Sequence, residues 1–154
     1  VLQAPVSDRE SLDLSPSTWK NLELAKRMIA EGKGGQLMPL ETQEDGAPIT
    51  ANRFHSFAAK GGDDDHFSSD LTDEELRGLL GHMSGVPTLV LQSGEDEYIP
   101  HATVDADLLA SRLSGAMGSS ASHITVEGGS HALTGHTDEA TDTISAFILR
   151  HKKD

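Results

Sequence analysis

The sequence predicts an α/β fold built on a parallel sheet. Two observations carry this expectation. Short apolar segments of strand length alternate with segments of helical periodicity, in the order strand, helices, strand, helix, strand, helix. The run VPTLVL (residues 86–91) is continuously apolar, as expected of a strand buried on both faces of a parallel sheet. No internal repeat or low-complexity tract interrupts the pattern.

Each element has its own signal. VLQAPV, residues 1–6, is apolar and ended by Pro5 and the polar SDRE, which fits a strand opening into a loop. In the segment that follows, Ser15 is placed to cap a helix and Pro16 suits its first position. Trp19, Leu22, Ala25 and Ile29 recur at helical spacing, and Gly32 supplies the stop. A looser region with Pro39, Gly46 and Pro48 leads to ITANRFHSFAA, a second short helix presenting Phe54 with Phe57 or Ala58. After the loop GGDDDHFSSD, the segment LTDEELRGLLGHM opens with a capping box of Thr72 and Glu75. Leu71 and Leu76 occupy the staple positions on either side, and Gly81 or Gly85 ends the helix. The strand VPTLVL comes next, followed by a helix with Val104, Leu108, Leu109 and Leu113 on one face. SHITVEGG is a short strand. The last helix is capped by Thr137, shows Ala140, Ile144, Phe147 and Ile148 on one face, and carries Arg150 to Lys153 against the negative end of its dipole.

Composition narrows the chemistry. The chain has 154 residues, enough for one domain or part of one, and a formal net charge of −13 that repels phosphate backbones and anionic membranes. Neither nucleic acid nor a membrane is an expected partner. The absence of cysteine excludes disulfides, thiolate catalysis and thiolate metal sites, leaving histidine and carboxylate chemistry. No apolar segment approaches the roughly 20 residues that cross a bilayer, and VLQAPVSDRE has no basic flank of the kind a signal peptide carries, so a cytoplasmic location is expected. The opening strand has no lead-in before Val1, which reads as a cut through a larger protein.

Residues 7–85 exceed what one crossover needs, since about a dozen residues suffice. The surplus is expected to form a helical lid beside the carboxyl ends of the strands, where ligands of open α/β sheets bind.

Two strands run into loops that combine glycine with an ionisable group: SGEDEYIP after VPTLVLQ, and EGGSHALTG after SHITV. A serine hydrolase needs an imidazole to take the proton of its nucleophile and a carboxylate to hold that imidazole in one tautomer. Asp96 and His131 meet the requirement in kind and in order. Taken alone, a carboxylate after a buried strand is as readily a polar loop end or a helix cap, whereas for His131 the two glycines and the strand before it favour function over an ordinary loop histidine. Glu95 and Glu97 read as solvated. So do His55, His82, His101, His123, His136 and His151, as surface or partly buried groups.

With these loops in view the chain resembles the α/β-hydrolase family over most of its length. Gly94, Asp96 and Ile99 with Pro100 match the family's acid loop, and His131 in GGSHAL matches its histidine loop. LQAPVSDRE, GGDDDHFSSDLTDEEL and SGEDEYIP together are similar to an uncharacterised group of fungal α/β-hydrolases that includes hydrolases of fusarinine-type siderophore esters. The resemblance implies the C-terminal half of the fold: three parallel strands, their helices and a lid, with Asp96 orienting His131 as general base and then general acid toward a small-molecule ester. It implies neither a metal nor an organic cofactor.

One departure qualifies it. The G-x-S-x-G elbow that carries the family's nucleophile does not occur, and neither Ser84 nor Ser130 has its context. The resemblance places that elbow before Val1, so this chain by itself is expected to turn over no ester. Two other readings stay open: a non-catalytic interaction module, and a half that pairs with a separate N-terminal chain. Three parallel strands with an open edge also predict a chain that is poorly folded or self-associating in isolation. Asp63, Asp64, Asp65 and His66 lack the alternating spacing and central glycine of a calcium loop and read as an acidic loop before a helix.

Overall fold

The computed structural model describes residues 1–12, 15, 17–42 and 47–152. Pro16, Gly46 and Lys153, singled out above, lie outside them. The elements in chain order are β1 (Leu2–Gln3), α1 (Asp8–Leu12), α2 (Thr18–Ala30), α3 (Ala51–Ala58), α4 (Asp73–Leu80), β2 (Thr88–Ser93), α5 (Ala106–Ala116), β3 (Ala121–Val126) and α6 (Thr137–His151). They divide into two compact units, Val1–Ser7 with His66–Asp154, and Asp8–Asp65.

The first unit holds the sheet, whose strand order is β1-β2-β3 with both pairings parallel. The α/β class and the parallel sheet are as expected. Every residue of β2 is buried. Alternation explains how one strand serves two cores: Val90 joins Leu76, Leu80, Leu109, Leu113 and Met117 on one side, while Leu89 and Leu91 join Val126, Leu133 and Ala140 on the other. Ile144 and Phe147 of α6 cover the second cluster. β1 is short because Ala4 takes φ 45, a left-handed conformation that turns the chain out of the strand at Pro5.

Local chemistry explains the helix boundaries. Thr72 and Glu75 form the reciprocal capping box at α4, and Leu71 and Leu76 are both buried in its core, as the pattern predicts. Asp105 caps α5 by accepting from Leu108 N at 3.0 Å. Two expectations change on this unit's helices. Thr137 is the first residue of α6, and the capping position falls to His136, which makes no side-chain cap bond. Leu108 and Ile148 are 58% and 55% exposed, because α5 turns Leu109, Ala110 and Leu113 to the sheet and α6 turns Ala140, Ile144 and Phe147.

The second unit packs α2 on α3 around Leu22, Ala25, Met38, Ala51, Phe54 and Ala58. Thr50 caps α3 by accepting from Arg53 N. Gly32, at φ 74, ends α2: its N–H reaches Ile29 O and the Lys33 N–H reaches Met28 O, the paired bonds of a Schellman motif. Ser15 is not the cap of α2, since Ser17 holds that position without a side-chain cap bond. Trp19 is also misplaced by periodicity alone, being 59% exposed. The buried face is Thr18, Asn21, Leu22 and Ala25, made possible because Thr18 Oγ1 donates to Leu12 O at 2.6 Å and Asn21 Nδ2 to Thr42 O at 3.0 Å.

Candidate active site

The acid and histidine loops leave the carboxyl ends of two adjacent parallel strands, and hydrogen bonds join them past the last ladder pair. Gly94 N donates to Val126 O and Glu95 N to Gly129 O, each at 2.9 Å. Gly94 is needed there: a β-carbon would stand 3.0 Å from Val126 O and 3.3 Å from Glu127 Cα, both backbone atoms.

Asp96 follows and is fully buried. Its Oδ1 accepts from Tyr98 N at 3.0 Å, a local turn, and its Oδ2 accepts from His131 Nδ1 at 2.9 Å. Its carbonyl takes the Ile99 N–H at 3.0 Å and the His101 Nε2–H at 2.8 Å, while Ile99 is sunk in the core. The carboxylate is thus fixed by its own loop before it meets the imidazole.

His131 is held as firmly. Gly128 at φ 70 turns the chain out of β3. Leu133, at φ 53, buries its side chain against Leu91 and Val126, and its N–H closes on Ser130 O at 2.8 Å. A carboxylate oxygen can only accept, so the proton shared with Asp96 sits on Nδ1. Nε2 makes no hydrogen bond among the described residues, and the side chain is 37% exposed. The Tyr98 ring stands edge-on to the imidazole, centroids 4.9 Å apart at 86°. With its Nδ1 proton committed to the buried acid, the imidazole leaves Nε2 uncommitted, an arrangement suited to taking and returning a proton.

Three neighbours carry no local sequence signal. Glu97 is exposed, as expected, yet Oε2 accepts from His131 N at 2.9 Å, and this bond is the leading cause that draws its carboxyl below the ordinary range. Gln3 Nε2, at the end of β1, donates to His131 O at 2.8 Å. Tyr98 is the third.

The remaining candidates are spent elsewhere. Ser130 Oγ accepts from Thr134 N within the histidine loop, at 3.3 Å, and Ser84 follows a 3₁₀ turn. Asp65 is buried against Arg9 and accepts from Gly61 N, and Asp64 pairs with Arg53. Among the described residues no group of three or more histidine, aspartate or glutamate side chains is placed to hold a metal. None of the six histidines set aside above is buried. No described helix is long and apolar enough to cross a membrane. A broad depression of about 1020 Å³ beside α5 is lined by Glu95, Asp105, Asp107 and Glu127, and by neither Asp96 nor His131.

Comparison with known proteins adds a family. A model described as "Protein of unknown function (DUF1749)" matches residues 1–150. A UPF0613 protein of Schizosaccharomyces pombe is 31% identical over 123 residues, covering 71% of this chain and 39% of that protein. The fusarinine C esterase sidJ of Aspergillus fumigatus is 32% identical over 142 residues, covering 73% of this chain and 40% of that protein. The chain therefore spans about two fifths of the length of these curated relatives. No solved structure matches it. With nearly its whole length, residues 1–150, matched by one family model, the chain belongs to the DUF1749 family.

Proposed function

We propose that this chain supplies the acid and histidine of a serine-type carboxylic ester hydrolase with an α/β-hydrolase fold, of which it forms the C-terminal half. The observation that carries the reading is the 2.9 Å bond from His131 Nδ1 to the buried Asp96, made between loops at the carboxyl ends of neighbouring parallel strands. The substrate class is the siderophore ester indicated by the name of the fusarinine C esterase relative.

In this mechanism a serine outside the 154 residues attacks the ester carbonyl while His131 Nε2 takes its proton. Asp96 stabilises the imidazolium through Nδ1. Collapse of the tetrahedral intermediate expels the alcohol, which leaves with the proton from Nε2, and an acyl-enzyme remains. Water then attacks the acyl-enzyme with His131 again as base, releasing the acid and restoring the serine.

A fluorophosphonate probe tests the reading. It is expected to label a polypeptide that joins this chain to a segment bearing G-x-S-x-G, and to stop labelling when His131 is replaced by alanine. Labelling of the 154-residue chain alone would contradict it. The absence of that pentapeptide from the chain favours one second reading, a non-catalytic binding module. No labelling of the joined polypeptide, with His131 or without it, would favour that module.

A further inference from the structure

We propose that Gln3 and Glu97 are positioning residues that bracket the main chain of His131 and thereby set the direction of its imidazole. The inference rests on the esterase reading above and deepens it. The bracket comes from two different places in the sheet. Glu97, on the loop after β2, takes the His131 N–H at 2.9 Å; Gln3, at the end of β1, gives its amide proton to the His131 carbonyl at 2.8 Å. These partners are 34 and 128 positions away in sequence, so neither bond is a by-product of a local turn.

The histidine loop needs such a bracket. Gly128 at φ 70 and Gly129 precede it, residues that hold no conformation of their own, and one side-chain bond to Asp96 fixes a point on the ring but not the peptide planes behind it. With N–H and C=O both tied to other strands' ends, the Cα–Cβ bond has one direction, and Nε2 points one way. The charge of Glu97 meets His131 at its backbone N–H. Among the described residues Asp96 and Tyr98 of the acid loop contact the ring itself, and His136 lies near Gly128 on the histidine's own loop.

Acceptor and charge are separable. Glu97→Gln keeps an oxygen for the His131 N–H and removes the charge, whereas Glu97→Ala removes both. Gln3→Ala removes the opposite arm. In the proposed esterase, kcat is expected to fall up to about 100-fold in Glu97→Ala and in Gln3→Ala with KM unchanged, because a misdirected base impairs chemistry more than binding. Glu97→Gln is expected to restore most of the rate. Nitrogen-15 histidine spectra of the same proteins read the bracket without substrate: the His131 Nδ1–H resonance broadens in the two alanine variants and sharpens again in Glu97→Gln, while the melting transition stays cooperative. Unchanged spectra and kcat in Glu97→Ala overturn the bracket, as does an equal loss in Glu97→Ala and Glu97→Gln, which assigns the effect to charge. A wild-type protein that hydrolyses no ester yet shows the spectral pattern sinks the esterase reading and leaves the bracket standing.

Discussion

The Asp96 carboxylate, with no exposed surface, accepts the Nδ1 proton of His131 at 2.9 Å, while its other oxygen is already committed to Tyr98 N at 3.0 Å. This sharing matters for replacement. Asp96→Asn can keep the shape, but an amide offers only one acceptor oxygen where the site requires two. Either the Tyr98 turn or the histidine bond then faces an NH₂. If the amide nitrogen faces Nδ1, the proton moves to Nε2 and the base is lost. In the proposed esterase Asp96→Asn lowers kcat by on the order of 10⁴-fold with a native-like circular dichroism spectrum. A variant retaining more than a tenth of wild-type turnover would remove Asp96 from the mechanism.

Glu97 links the site to pH. Its carboxyl is drawn below the ordinary value of 4.5 by the His131 N–H, so the folded state favours the ionised form. A folded pKa below the unfolded one contributes stability that is fully present above 4.5 and is lost as pH falls through the folded value. The denaturation midpoint of the wild-type chain is therefore expected to exceed that of Glu97→Ala at pH 6, with the gap narrowing below 4.5. Urea titrations at pH 6, 4.5 and 3 check it. A gap that widens toward pH 3 contradicts the assignment.

The α4 capping box is a purely local device and gives a cleaner number. Thr72 Oγ1 accepts from Glu75 N at 3.2 Å and Glu75 Oε2 accepts from Thr72 N at 2.7 Å, and the helix they begin buries Leu76 and Leu80. Thr72→Ala should cost about 1 kcal/mol in urea unfolding. Because the box's reciprocal bonds run between Thr72 and Glu75, the His131 bond should be unaffected, as its nitrogen resonances will report.

What the sequence discloses divides along this same line between local and distant. The capping box, the Gly32 stop and the two-sided burial of Leu89, Val90 and Leu91 are legible because each depends on spacing within a few residues. Which face of a helix turns inward is not so confined: Trp19 fits the apolar stripe of α2, but Thr18 and Asn21 take the buried side because Leu12 and Thr42 offer them carbonyls. Leu108 and Ile148 fail because α5 and α6 turn other apolar residues, Leu109 with Leu113 and Ile144 with Phe147, to the sheet. At the candidate site, Asp96 and His131 are recognisable by type and by the glycines around them, whereas Glu97 sits in a run of three carboxylates that are alike in sequence. Only the arrival of the His131 amide, from 34 positions away, distinguishes it.

Two glycines with opposite surroundings test how the loops are assembled. At Gly94 the backbone of the histidine loop stands where a β-carbon would go, 3.0 Å to Val126 O and 3.3 Å to Glu127 Cα, and neither atom belongs to a side chain that could swing away. Gly94→Ala must therefore push this backbone back by a few tenths of an ångström, straining the bond from Gly94 N to Val126 O and the Glu95 to Gly129 bond that carries the alignment on to Asp96 and His131. The cost is about 1–3 kcal/mol, the usual range for forced packing, together with loss of the His131 Nδ1–H resonance. Gly78, exposed inside α4, would place a β-carbon with nothing within 4 Å. Gly78→Ala should instead stabilise the chain by about 1 kcal/mol through helix propensity alone, leaving the resonance in place. Urea unfolding of the two variants side by side decides the matter: equal effects of the same sign would mean that the two loops are not held together through Gly94.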